Sequence, residues 1–184
     1  MEKRELKQSE KKGISLQDLL LTAVLLAAGA VLKFFVGQFI NLFGMKPNFI
    51  IAMYCLAIAL IRPKIYYSLI IGLIAGAICQ FFPGTPYLNF ASEAAGALAM
   101  GILIFIPAKS KAAKVGLSAV NTFISTVISG GLYTVLLFVV INSDPSALAA
   151  YVPIVLGTAA LNSVIVAALY LPLMKALKKK VVED

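Results

Sequence analysis

The sequence predicts an all-α membrane protein, with six transmembrane helices in one bundle and both termini in the cytoplasm. Composition is the first observation behind this prediction: of 184 residues, 61% are apolar and 13% are charged, and the mean hydropathy is +0.96. A soluble domain is about 45–50% apolar and about 25% charged. The second observation is a series of six apolar runs separated by turn residues, and the third is the placement of the basic residues.

The six apolar runs are assigned as membrane spans of a single domain, residues 1–184. A helix that crosses a bilayer needs about 20 apolar residues, or fewer if the membrane deforms around it. The second run is the shortest. It is counted as a span because six spans then place all the basic segments on the same side of the membrane. The predicted spans are 16–43, 48–62, 65–82, 88–107, 115–141 and 147–173, with tails at 1–14 and 174–184.

Local signals support the individual elements in order along the chain. Ser15 followed by Asp18 is typical of a capped helix start and begins the first span. The third and fourth spans carry Gly72-x-x-x-Gly76 and Ala97-x-x-x-Gly101, a spacing of small residues that favours close helix packing. Turn-forming residues fill the gaps between runs, at 44–48, 62–64, 83–86, 109–114 and 142–145.

The basic residues lie in alternate segments of the chain. Of the 16 Lys and Arg residues, 14 lie in the N-terminal tail, after the second run, after the fourth run and in the C-terminal tail. Loops rich in Lys and Arg stay in the cytoplasm, so all four segments are assigned to the cytoplasmic side. The net charge of +8 therefore indicates membrane topology and not a nucleic-acid footprint.

Away from the ends of the predicted spans there are two charged residues, Glu93 in the fourth span and Lys33 in the first. Intramembrane charges are costly and usually mark a substrate or ion path. Glu93 either serves such a path or forms a structural ion pair with Lys33 or Lys46. Lys33 either lines the path or extends its long side chain outward to water.

Uncharged polar residues also occur in the spans, mostly toward the outer side of the membrane. Asn121, Ser125, Ser129 and Tyr133 recur every four residues in the fifth span and form one polar stripe. That stripe either binds a ligand or holds helices together. Asn162 in the sixth span requires a partner, either a ligand or a neighbouring Asn. This distribution predicts a binding pocket that opens outward. It does not favour a channel, because a channel would need polar lining along its whole length.

Several classes of protein are excluded by what the sequence lacks. It has no His, which excludes a Ser-His-Asp triad and the commonest metal ligand. Cys55 and Cys79 lie inside apolar runs and are interpreted as small buried hydrophobes. No phosphate-binding G-x-x-x-x-G-K-[ST] loop occurs, so any ATP-driven step needs a separate ATPase. We expect no enzyme activity, no cofactor and no metal.

The sequence resembles the S components of energy-coupling factor (ECF) transporters. The resemblance rests on six spans in fewer than 200 residues, cytoplasmic termini and the Ala23-x-x-x-Ala27 face of the first helix. Within that group it is most similar to the tryptophan-transport S component. The stretches that carry this similarity are Gly44-Met45-Lys46-Pro47-Asn48, Phe82-Pro83-Gly84 through Asn89, Ile128-Ser129-Gly130, Leu161-Asn162-Ser163 and Tyr170-Leu171-Pro172.

The resemblance implies an S-component-like bundle in a bacterial cell membrane that captures a small molecule, and the closer similarity implies tryptophan. It also implies a transmembrane T subunit and two ATPases as partners, with Ala23 and Ala27 facing the T subunit. Two alternatives are an S component for another small molecule, such as a water-soluble vitamin, and a stand-alone transporter that uses Glu93 as a proton carrier.

A tryptophan ligand would require an anion for its ammonium, donors for its carboxylate and an acceptor for its indole N–H. Glu93 is the candidate anion, and Asn162 or Asn121 is the candidate acceptor. Aromatic faces for stacking would come from Tyr87 and Tyr133. The carboxylate donors would be Lys46, Asn48 and Asn89.

Overall fold

The computed structural model describes residues 13–39, 46–82, 85, 87–142, 144 and 148–177. This part of the chain forms six α-helices. They are α1 (Leu16–Phe39), α2 (Ile50–Ile61), α3 (Ile65–Cys79), α4 (Leu88–Leu103), α5 (Lys111–Ile141) and α6 (Leu148–Ala176). The all-α prediction is confirmed, and each helix falls within or across one predicted apolar run.

The helix ends differ from the predicted run boundaries where capping groups decide them. The Ser15 hydroxyl donates to an Asp18 carboxylate oxygen at 2.7 Å and accepts from the Asp18 N–H at 3.2 Å, so the predicted start of α1 is confirmed. α5 begins earlier than the apolar run, because the Ser110 hydroxyl accepts the Ala113 N–H at 3.1 Å and caps the helix there. The predicted span ends at 40–43 and most of both tails lie outside the described residues.

Helix lengths divide the bundle into two groups. α1, α5 and α6 contain stretches of 21, 31 and 28 residues that are long and apolar enough to cross a membrane. α2, α3 and α4 are apolar but have 12, 15 and 16 residues. At about 1.5 Å per residue, α2 is about 18 Å long, well short of a bilayer core of about 30 Å. The described part of the chain therefore has three apolar helices long enough to cross a membrane and three shorter ones, as expected of a helical membrane protein.

The shortest helix, α2, is the centre of the bundle. Every residue from Ile50 to Leu60 is buried, and α2 contacts each of the other five helices. Its sequence is apolar on all sides apart from Tyr54, which is the pattern of a helix surrounded by protein. α3, α4, α5 and α6 pack against one another in order, and α1 packs against α2 and α3.

α3 and α4 approach closely through their small residues, as the sequence predicts. A Cβ on Gly72 would lie 2.6 Å from the Glu93 carbonyl oxygen, and one on Gly76 would lie 2.8 Å from the Phe90 Cα. On the facing helix, a Cβ on Gly101 would lie 2.5 Å from the Ser68 hydroxyl. Larger side chains at these positions would separate the two backbones, and Glu93 depends on this contact for its position.

One end of the bundle is basic. Arg62, Lys64, Lys109 and Lys111 lie at the ends of α2 and α4 and the starts of α3 and α5. There the Arg62 guanidinium donates to the Ile104 carbonyl at 2.8 Å and so satisfies a carbonyl just after α4. We call this the basic end. At the opposite end α2 and α4 begin and α1 and α3 finish.

Candidate functional site

Six polar side chains converge near the end of the bundle where α2 and α4 begin. Each comes from a different helix or, for Asn48, from the residue two positions before α2. We call this group the polar cluster. It consists of Lys33, Asn48, Cys79, Glu93, Ser129 and Asn162.

Glu93 is the acid of the polar cluster. Its side chain is 1% exposed. The Asn48 amide donates to one carboxylate oxygen at 2.5 Å, and the Ser129 hydroxyl donates to the other at 3.3 Å. Both donors are neutral groups. A buried carboxylate is costly unless it is hydrogen-bonded or faces a cation, so these bonds help to hold Glu93 in the interior.

Asn48 connects three elements of the bundle. Besides the bond to Glu93, its side-chain oxygen accepts the Ile50 N–H at 3.3 Å and satisfies a donor at the start of α2. Its backbone carbonyl accepts from the Asn162 amide at 3.1 Å. Asn48 therefore links the beginning of α2 to Glu93 on α4 and to Asn162 on α6.

Asn162 is fully buried and only partly satisfied. Its amide nitrogen donates to the Asn48 carbonyl and to the Thr126 hydroxyl, the latter at 3.3 Å. A backbone carbonyl only accepts hydrogen bonds, so the contact with Asn48 fixes which side-chain atom is the nitrogen. The other atom, Oδ1, has no hydrogen-bond partner among the described residues. Asn162 thus presents an unused acceptor next to Asn48.

Lys33 is the cation of the polar cluster. Its ammonium donates to the Cys79 sulfur at 3.2 Å and lies 5.1 Å from the centroid of the Phe82 ring. The Asn48 amide also lies 3.8 Å from the same sulfur. Cys79 and Asn48 thus connect the Lys33 ammonium to the Glu93 carboxylate, so a basic and an acidic side chain share this end of the bundle.

The structure brings three of the predicted ligand-binding residues together: Asn48, Glu93 and Asn162. Lys46 and Asn89 are half-buried. Lys46 is two residues before Asn48 in the sequence, and Asn89 is one helical turn before Glu93. Their roles as carboxylate donors stay predictions.

The hydrogen bonds of Asn121 and Tyr133 and the exposure of Tyr87 do not connect these three predicted residues to the polar cluster. The Asn121 amide donates to the Leu103 carbonyl at 3.1 Å, which places it at the C-terminal end of α4. The Tyr87 side chain is 75% exposed, with its backbone in the left-handed region at φ 72°. The Tyr133 hydroxyl accepts the Thr85 N–H at 3.5 Å. Ala23 and Ala27, predicted to face a partner, are both exposed on α1.

Sequence reasoning left Lys33, Cys79 and Ser129 out of the proposed ligand site. Ser129 belongs to the four-residue stripe, so its periodicity could have indicated a place beside Glu93. Cys79 is buried as expected, but its sulfur also accepts hydrogen bonds, which no sequence signal showed. Within the described ranges, no group of three His, Cys, Asp or Glu residues is arranged to hold a metal ion.

The family of the chain follows from comparison with known proteins. A family described as "Tryptophan transporter TrpP" matches residues 15–178. The chain belongs to this tryptophan transporter family. The match covers all six helices and every residue of the polar cluster, and it confirms the family resemblance seen in the sequence.

Two curated relatives agree with this assignment. A probable tryptophan transport protein of Bacillus subtilis is 26% identical over 167 residues, which cover 89% of this chain and 94% of the relative. A probable tryptophan transport protein of Clostridium acetobutylicum is 26% identical over 171 residues, 90% of this chain and 96% of the relative. No solved structure matches the chain. The protein is thus a member of a membrane transport family, similar to bacterial proteins along nearly its whole length.

Proposed function

We propose that this protein is the substrate-capture subunit, or S component, of an ATP-driven ECF importer for tryptophan in a bacterial cell membrane. All six helices are spans in this proposal, and the basic end faces the cytoplasm together with both termini. Membership of the tryptophan transporter family supports the substrate. The sequence resemblance supports the ECF role, including a transmembrane T subunit and two ATPases as partners.

The observation that carries the tryptophan proposal is the unused acceptor of Asn162, a residue that Asn48 connects to Glu93. An indole N–H donates a hydrogen bond and accepts none. The Asn162 side-chain oxygen is buried and lacks a donor among the described residues. Glu93 offers a carboxylate for the ligand ammonium, and Asn48 contacts both residues. In this proposal one amino-acid ligand has its charged end at Glu93 and its indole at Asn162.

The test compares three ligands by calorimetry on the detergent-solubilised protein: tryptophan, phenylalanine and 1-methyltryptophan. 1-Methyltryptophan keeps the ring but lacks the N–H. A site built around a buried hydrogen bond discriminates strongly against ligands without the group, so we expect tryptophan to bind at least about tenfold more tightly than either analogue.

A variant then assigns the acceptor. Asn162→Ala should weaken tryptophan binding more than phenylalanine binding, because only tryptophan uses the lost oxygen. Equal losses for the two ligands would contradict this role of Asn162. An absence of tryptophan binding together with tight binding of a vitamin would retain the S-component proposal and discard tryptophan.

The burial of Glu93 also favours a second candidate, a stand-alone transporter that carries a proton on this carboxylate. Uptake by liposomes that contain only this protein separates the two. Accumulation of tryptophan driven by a proton gradient, without ATP or partner proteins, would support the second candidate. Accumulation that requires the T subunit, the ATPases and ATP would support the first.

A further inference from the structure

The environment of Lys33 is unusual for a cation inside a membrane protein. Among the described residues, its ammonium makes its hydrogen bond to the Cys79 sulfur, with the face of Phe82 on another side. A thiol is a weak acceptor, and a lysine ammonium has three donors. The residues that the structure describes therefore offer the Lys33 ammonium a weak acceptor.

Glu93 is in the complementary situation. The Asn48 amide and the Ser129 hydroxyl, which donate to its carboxylate, are neutral groups, and the Tyr54 hydroxyl that also interacts with it is neutral as well. The Asn48 amide contacts both the Glu93 carboxylate and the Cys79 sulfur, and Lys33 contacts the same sulfur. Asn48 and Cys79 therefore form a chain of contacts between a cation and an anion.

A spaced pair of opposite charges in a site of low dielectric matches a ligand that carries the same two charges reversed. We propose that Lys33 and Glu93 together recognise a zwitterion: Lys33 binds the α-carboxylate of the ligand and Glu93 binds its α-ammonium. This inference rests on the proposed function, because it takes the ligand to be a free amino acid. It places the carboxylate on Lys33 and not on Lys46.

The physical basis is an exchange of weak partners for strong ones. When the carboxylate replaces the thiol at Lys33, a charge-assisted hydrogen bond replaces a weak one. When the ammonium replaces the Asn48 amide at Glu93, the same improvement occurs there. A ligand that lacks either charged group makes only one of the two exchanges and leaves the other charge without its ionic partner, so the site selects intact α-amino acids.

The first experiment changes only the ligand. Wild-type protein is titrated with tryptophan, with tryptamine, which lacks the carboxylate, and with indole-3-propionate, which lacks the ammonium. Loss of one charge-assisted bond is expected to lower affinity roughly tenfold or more. Tryptamine binding as tight as tryptophan binding would overturn the role of Lys33 without any variant having to fold.

The second experiment assigns the two charges. Lys33→Met should weaken tryptophan at least about tenfold and leave tryptamine unchanged within a factor of about three. Glu93→Gln should weaken tryptophan similarly and leave indole-3-propionate unchanged within the same factor. Lys33→Arg keeps the positive charge and should retain most of the preference for tryptophan over tryptamine. Lys109→Met, an exposed lysine at the basic end, is the matched control and should change no affinity.

Two outcomes contradict the inference alone. If Lys33→Met weakens tryptophan and tryptamine equally, Lys33 stabilises Glu93 and does not contact the ligand. If Lys46→Met abolishes the difference between the two ligands, the carboxylate belongs to Lys46. Failure of wild-type protein to bind tryptophan at all would instead overturn the proposed function, and this inference with it.

Discussion

Gly96 shows at the scale of one residue how tightly the polar cluster is packed. It lies on α4, one turn after Glu93. A Cβ at Gly96 would lie 2.8 Å from the Ser129 Cβ and 3.1 Å from the Ser125 carbonyl oxygen, and closer still to the Tyr54 hydroxyl. Glycine is therefore required for α4 to approach α2 and α5 at this level.

We expect Gly96→Ala to destabilise the protein although alanine is the better helix former. Overpacking costs about 1–3 kcal/mol, and the gain in helix propensity is at most about 1 kcal/mol. Thermal unfolding in detergent measures the difference. Gly131→Ala on α5 is the control, because a Cβ there meets nothing within 4 Å and should leave stability equal or slightly higher. Identical unfolding temperatures for the two variants would show that α4 and α5 do not approach as described.

The unused oxygen of Asn162 has a cost of its own. A buried acceptor without a donor costs about 1–3 kcal/mol relative to one that is satisfied. A ligand that donates to this oxygen removes that cost. The free protein thus has a polar group whose environment improves on binding, which favours binding of a molecule with a donor at that point.

At the scale of elements, α1 differs from the rest of the bundle. It packs against α2 and α3, while Leu20, Val24 and Phe35 remain more than half exposed. Ala23 and Ala27 lie on an exposed part of the same helix. Small side chains there leave room for the close approach of another helix, which fits the face proposed for the T subunit.

We expect Ala27→Trp to block assembly with the T subunit and leave tryptophan affinity unchanged, because the indole ring would fill the space between the two helices. Co-purification of the T subunit and ATPases measures assembly, and calorimetry measures tryptophan binding. Ala160→Trp, at an exposed position on α6, is the matched control and should assemble normally. Loss of tryptophan binding in Ala27→Trp would mean that this face packs inside the protein.

At the scale of the whole molecule, the two ends of the bundle have different chemistry. The basic end carries Arg62, Lys64, Lys109 and Lys111, and the polar cluster lies toward the other end. If the basic end faces the cytoplasm, the polar cluster lies toward the outer side, where a binding subunit of an importer meets its substrate.

Labelling of single cysteines tests this orientation. In a variant that lacks Cys55 and Cys79, cysteines at Thr85 and at Ser143 should react with an impermeant reagent added to intact cells. A cysteine at Ser110, just before α5, should react only after the membrane is opened, because it lies at the basic end. Ser143 lies outside the described residues. Thr85 lies within them, so its labelling tests the orientation at a position that the structure describes. The reverse pattern would overturn the orientation of the proposed importer.

The sequence by itself determined the helices and the identity of several cluster residues. Hydropathy and turn chemistry are local properties, so six apolar runs, the Ser15 cap and the Gly72 and Gly76 contact were predictable. Glu93 and Asn162 were predictable as buried polar groups because they interrupt apolar runs. Their partners were not. The sequence offered Lys33 or Lys46 for Glu93, and Asn121 or Asn162 as the indole acceptor.

Only the tertiary structure decided which polar groups meet, and the reason is physical. In a soluble helix the polar face points to water and identifies the inner face by contrast. In a membrane helix the side that faces lipid and the side that faces the core are both apolar, so the sequence leaves the rotation of each helix open. Packing around the short central α2 sets those rotations. It turns Lys33 toward Cys79, brings Asn48 to Glu93 and directs Asn121 to the Leu103 carbonyl.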